Sequence, residues 1–120
     1  MFHKDYLIRQ IELMVESIAH VVLNTDVSVK NENQIEICQA ESDLLHVLLC
    51  DMIAKKQVNE AENMLFDSLD PDNQNHLVIA VDFYSRLNNM TDKELEDVDF
   101  SREEIVNGLN EVKGIHEMTV

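Results

Sequence analysis

Met90-Thr91-Asp92-Lys93-Glu94-Leu95 and, shortly after it, Phe100-Ser101-Arg102-Glu103-Glu104-Ile105 mark two helix starts side by side. In each, a hydroxyl residue stands three positions before a glutamate, Thr91 before Glu94 and Ser101 before Glu104. That is the capping-box pattern, in which side chain and backbone at the helix start satisfy each other's hydrogen bonds. Met90 with Leu95, and Phe100 with Ile105, stand at the hydrophobic-staple positions that fix how the chain enters the helix. Two helices are therefore announced independently within one short stretch.

The second of them presents Ile105, Leu109 and Val112 on one face, and Gly114 is placed to end it as a left-handed cap, with Ile115 folding back on Leu109. Upstream, Leu77, Ala80, Val81, Tyr84 and Leu87 recur at helical spacing over Asn73–Asn89, and Val58, Ala61, Leu65 and Leu69 do so over Val58–Leu69. Pro71 separates these two segments, because the residue before a proline resists the helical conformation. An antiparallel helical hairpin follows from so short a connection. A further segment from about Gln34 to Lys56 includes Leu44, Leu45, Val47, Leu48, Leu49, Met52 and Ile53, leaving hardly any polar face. Such a segment belongs in the middle of a bundle. Asn24 to Asn33 has no helical period and reads as the longest loop.

At the N-terminal end, Leu7, Ile8, Ile11, Met14, Val15, Ile18, Ala19, Val21 and Val22 form a broad apolar stripe on a helix from Asp5 to Leu23, with Arg9, Glu12, Glu16, Ser17 and His20 opposite. A stripe this wide needs two neighbours. Leu7, Ile11, Met14, Ile18 and Val22 are accordingly the candidate interaction face, through which a homodimer would form. The sum is a single all-α domain over residues 1–120, a bundle of five to six helices with the second segment and the third and fourth helices at its centre and the first wrapped across them.

Composition agrees with that class. Only two Gly and one Pro occur in 120 residues, too few for the tight turns a sheet requires. Asp and Glu number 24 against 9 Lys and Arg, a formal net charge of −15. Phosphate backbones and anionic lipid would be repelled, so neither nucleic acid nor a membrane surface is an expected partner. Cys38 and Cys50 read as reduced, buried thiols. Charges interrupt the N-terminal apolar residues too often for a signal peptide or a membrane span, and a cytoplasmic location is expected.

Met1-Phe2-His3-Lys4-Asp5-Tyr6-Leu7-Ile8-Arg9-Gln10-Ile11-Glu12 resembles the start of a family of small uncharacterised proteins, a domain of unknown function of Clostridia and related low-GC Gram-positive bacteria. Asn59-Glu60-Ala61-Glu62-Asn63-Met64-Leu65-Phe66-Asp67 is similar to the same family. So are Val81-Asp82-Phe83-Tyr84-Ser85-Arg86-Leu87-Asn88 and Phe100-Ser101-Arg102-Glu103-Glu104-Ile105 with Gly108-Leu109. The resemblance implies a tetratricopeptide-like helical hairpin and carries over no catalytic or ligand residue. One hairpin fits that pattern, and no second copy follows at the tetratricopeptide period of about 34 residues, so no repeat superhelix is expected.

Candidate chemistry is thin. Asp67-Ser68-Leu69-Asp70 is similar to the tetrapeptide around the phosphopantetheine-bearing serine of acyl carrier proteins, but there the serine opens a helix whereas Ser68 closes one. His46 and Cys50 lie four apart on one helical face, with Cys38, His3, His20, His76 and His116 elsewhere and no Cys-x-x-Cys or His-Glu-x-x-His pairing, so no metal is assigned. Asp70 to Asn75 begins like a calcium loop but has Asn75 where Gly is required and Val81 where Glu is required. Carboxylate pairs are too abundant to be informative, and no Gly-rich phosphate loop or Gly-x-Ser-x-Gly exists. Met14, Met52, Met64 and Met90 sit in core registers, as does Tyr84, its hydroxyl expected at the surface. The sequence therefore reads as a non-enzymatic protein-interaction or scaffolding module without cofactor, with a carrier protein modified at Ser68 as the alternative.

Overall fold

The computed structural model describes residues 2–24, 44–70 and 73–118. Within them are α1 (Phe2–Asn24), α2 (44–54), α3 (Val58–Ser68), α4 (Gln74–Asn88), α5 (Asp92–Asp97) and α6 (Arg102–Met118), and no strand. The fold is an all-α bundle. The loop expected over Asn24–Asn33, Cys38 and the start of the second segment lie outside the described residues.

Both capping boxes form. Thr91 Oγ1 accepts from the Glu94 N–H at 3.1 Å and Glu94 accepts from the Thr91 N–H at 2.9 Å. Ser101 and Glu104 repeat the exchange at 3.2 and 2.7 Å. Each cap contributes about 1 kcal/mol. The staple residues Leu95, Phe100 and Ile105 are buried, and Met90 packs against the core they belong to.

Two helix ends use a device that the composition hides. The N–H of Gln57 reaches the carbonyl of Met52 and that of Lys56 reaches Ile53, with Lys56 at φ 64°. Phe100 and Asp99 do the same to Leu95 and Glu96, with Asp99 at φ 55°. These are Schellman closures built without glycine, a conformation that costs an L-residue roughly 1 kcal/mol. Conversely, Gly114 does not end α6. The helix runs through it to Met118 and no glycine has a positive φ, because one glycine inside a helix costs only about 1 kcal/mol and does not by itself stop propagation.

Among the described residues, the backbones of α1, α4 and α6 pack closely on one another. Helix α4 is the axis: Leu77, Ile79, Ala80, Val81, Phe83, Tyr84, Leu87 and Asn88 are all buried, so it is covered on nearly every side. Helix α3 joins through side chains. The Asp70 N–H donates to His76 Nδ1 at 3.0 Å near the connection, and the Tyr84 hydroxyl donates to Glu62 at 2.6 Å two turns further along both helices. Links that step back along α3 as they step forward along α4 make the two antiparallel.

The expected centre of the bundle is corrected at α2. Leu45 and Leu49 are buried, but Leu44, Val47 and Leu48 are 61, 61 and 38% exposed. An apolar composition all round a helix did not make it central, because α1 already covers α4 together with α6.

Candidate functional site

Helix α1 turns its apolar stripe inward. Leu7, Ile11 and Ile18 are buried and Met14 packs against the core, so the face expected to meet a partner is occupied by the chain's own helices. The side chain of Val22 lies outside the described residues. Among the described side chains of α1, the large apolar ones left in solvent are Tyr6 and Leu13.

Helix α2 instead carries the unusual features. Its outer face presents Leu44, Val47 and Leu48 at the spacing of adjacent helical turns. From Leu44 to Cys50 there is no Asp, Glu, Lys or Arg, so these turns carry no carboxylate of their own. Further round the same helix, His46 and Cys50 face Asp82 of α4. His46 Nε2 is 2.8 Å from Asp82 Oδ2, Cys50 Sγ is 3.7 Å from the same His46 nitrogen, and Arg86 Nε donates to the same Asp82 oxygen at 2.7 Å. Burial alone would push the Asp82 carboxyl up, but the hydrogen bonds and charges of Arg86 and His46 outweigh it and hold the group below its usual value.

Cysteine, histidine and aspartate together invite comparison with a nucleophilic relay. A relay needs the two ring nitrogens to face opposite partners, one the nucleophile and the other the carboxylate. Here thiol and carboxylate converge on one nitrogen. The cluster is therefore arranged as ligands around a point and not as a proton path.

Elsewhere, a concavity of about 750 Å³ lies where α5 meets α6, floored by Leu7, Leu95 and Phe100 and rimmed by carboxylates including Glu96 and Asp99. A smaller one between α3 and α6 gathers Glu62, Glu104 and Glu111. Tyr84, expected with its hydroxyl at the surface, is wholly buried and donates that hydroxyl to Glu62. Burial pushes the Glu62 carboxyl above its ordinary value, the Tyr84 bond pulls it down, and Glu104 and Glu111 push it up again. A carboxyl with a raised folded pKa contributes stability that is fully present below its ordinary 4.5 and is lost as pH rises through the folded value. Glu62→Gln, which keeps an acceptor for Tyr84 and removes the charge, is thus expected to stabilise the fold at pH 7 by roughly 0.5 kcal/mol. Urea melts at pH 7 and pH 4 check this: the gain must shrink at the lower pH, and an equal gain at both would refute the electrostatic cause.

Ser68 is exposed as the last residue of α3, followed by Leu69 in extended conformation. It does not stand at a helix start, where the carrier serine opens its helix. Among the described residues, no helix is long and apolar enough to cross a membrane.

A family model described as a family of unknown function (DUF6483) matches residues 1–117. No curated protein and no solved structure matches the chain.

Proposed function

We propose that this chain, which belongs to the family of unknown function DUF6483, is a non-enzymatic cytoplasmic protein-interaction module that docks through the outer face of α2. The observation that carries the reading is the exposure of Leu44, Val47 and Leu48 on a helix stretch without charge. Each aliphatic side chain removed from water contributes roughly 1.5–3 kcal/mol when fully covered. On a chain of net charge −15, contact between two copies is least opposed where neither carries a carboxylate. A second copy, apposed two-fold so that the same face meets itself, is the simplest partner. The free Cys50 thiol fits a reducing compartment.

A patch this small makes a weak, concentration-dependent contact. Light scattering over a concentration series is expected to show monomer passing to dimer, and Val47→Glu is expected to keep the chain monomeric. Because salt screens the mutual repulsion of two acidic chains, added salt should tighten the dimer, the reverse of its effect on a complex held by opposite charges. A wild-type chain that stays monomeric at the highest concentration, and that retains the same proteins from its own cytoplasm as Val47→Glu does, would overturn the reading.

A further inference from the structure

We propose that His46, Cys50 and Asp82 form a three-ligand binding site for a borderline divalent cation, zinc foremost. The three donor atoms, an imidazole nitrogen, a thiol sulfur and a carboxylate oxygen, all lie within 4.8 Å of one another. They come from two helices: His46 and Cys50 project from successive turns of α2, and Asp82 meets them from α4. Zinc takes all three donor types, with bonds near 2.3 Å to sulfur and 2.0–2.2 Å to nitrogen and oxygen, so tetrahedral geometry places neighbouring donors about 3.3–3.6 Å apart. The His46–Cys50 separation of 3.7 Å already approaches that edge. The His46–Asp82 separation of 2.8 Å is a hydrogen bond and must open by about half an ångström for a metal to replace the shared proton. Rotation of a half-exposed carboxylate supplies such a movement.

The surroundings suit a cation in two further respects. Leu45, Leu49 and Val81, neighbours in sequence of all three ligands, are buried, so the ligand-bearing turns are anchored by packing before any ion arrives. Arg86 holds Asp82 through one oxygen, and a carboxylate has two. With the metal on Oδ2, the oxygen that His46 and Arg86 now share, Arg86 passes to Oδ1 and orients the ligand from behind, as outer hydrogen bonds do in metal sites. His46 and Asp82 are 37 and 38% exposed, which leaves the outer side of the cluster open to solvent. Three protein ligands with a fourth position open is the arrangement of sites that exchange a water or accept a ligand from outside. On binding, the Cys50 thiol gives its proton to solvent and coordinates as thiolate, and Nε2 of the neutral imidazole is freed for the metal as its proton moves to Nδ1, so the reaction takes up one cation and releases one proton.

The test uses the full-length, reduced, chelator-washed protein titrated with zinc chloride alone, and in parallel with cobalt chloride. The expected result is one zinc per chain, release of a proton, a raised melting temperature, and a thiolate-to-cobalt charge-transfer band. Cys50→Ser is expected to abolish the band and weaken zinc at least 100-fold, and Asp82→Asn to weaken it at least 10-fold, each with an unchanged helical circular dichroism spectrum. Saturation that needs many equivalents of zinc would overturn the proposal, as would affinity and a cobalt band that survive both substitutions. Neither outcome bears on docking by the outer face of α2, since Val47→Glu leaves all three ligands in place.

Discussion

Gly108→Val is expected to destabilise the fold by about 3 kcal/mol or more, the upper end of what forcing extra atoms into a packed core costs. Gly108 is buried on α6, and a Cβ added there would lie 2.7 Å from Tyr84 Cε1 and closer still to Cζ and the hydroxyl. Tyr84 has nowhere to go. It is wholly buried, its ring meets Phe83 edge-on with centroids 5.1 Å apart at 75°, and its hydroxyl is fixed on Glu62. The glycine is thus the recess that lets the tyrosine lie between α4 and α6. Tyr84→Leu empties that recess at a cost of its own, so in that background Gly108→Val should cost less than 1 kcal/mol, a coupling typical of contacting residues. Urea denaturation of the four members of the cycle measures it. An equal cost of Gly108→Val in both backgrounds would show that the ring is not what the new side chain strikes.

That recess was not legible in the sequence, and the reason is general. Local signals are legible: Thr91 with Glu94 and Ser101 with Glu104 cap helices, and the third helix starts at Val58. Such signals are complete within a few residues. Gly108 offered no local signal, since a glycine in a helix pattern looks the same whether it admits an aromatic ring from another helix or nothing, and Gly114 shows the second case, with no heavy atom within 4 Å of an added Cβ. Gly114 matches the cap pattern without ending its helix, while the left-handed ends fall to Lys56 and Asp99, residues without the permissive backbone that the pattern seeks.

The same limit governs the site. His46 and Cys50 could be placed on one face of one helix, but two ligands do not make a metal centre, and Asp82 enters only because α4 runs beside α2. Likewise, the broad stripe on α1 is compatible with two neighbours of its own chain or with a second subunit, and the apolar run on α2 reads as the middle of the bundle. Periodicity identifies a face that must be covered; it does not say by what. Leu7, Ile11 and Ile18 are buried, whereas Leu44, Val47 and Leu48 are exposed.

Arg102→Met is expected to cost about 2–3 kcal/mol, although it removes a positive charge from the first turn of a helix and leaves the capping box intact. Arg102 is one of two buried polar residues among the described residues, and its guanidinium does what no apolar side chain can. One terminal nitrogen donates to the carbonyl of Met90 at 2.8 Å and to that of Asn88 at 3.4 Å, and the other pairs with Asp92. The side chain thereby closes the C-terminal end of α4, where carbonyls lack helical partners, and ties it to the first turn of α5 and the start of α6. Asp92 is half-exposed and can rehydrate when the arginine is lost, whereas the Asn88 carbonyl cannot, so the cost comes from the stranded carbonyls and not from the ion pair. Two comparisons separate these causes. Arg102→Lys keeps the charge but offers one compact ammonium in place of a planar fork, and should recover less than half of the loss. Lys55→Met, which breaks an ion pair exposed on both sides, should change stability by less than about 0.5 kcal/mol. If Arg102→Lys were as stable as wild type, or if high salt abolished the effect of Arg102→Met, charge alone would be the cause and the three-way closure of α4, α5 and α6 would have no energetic role.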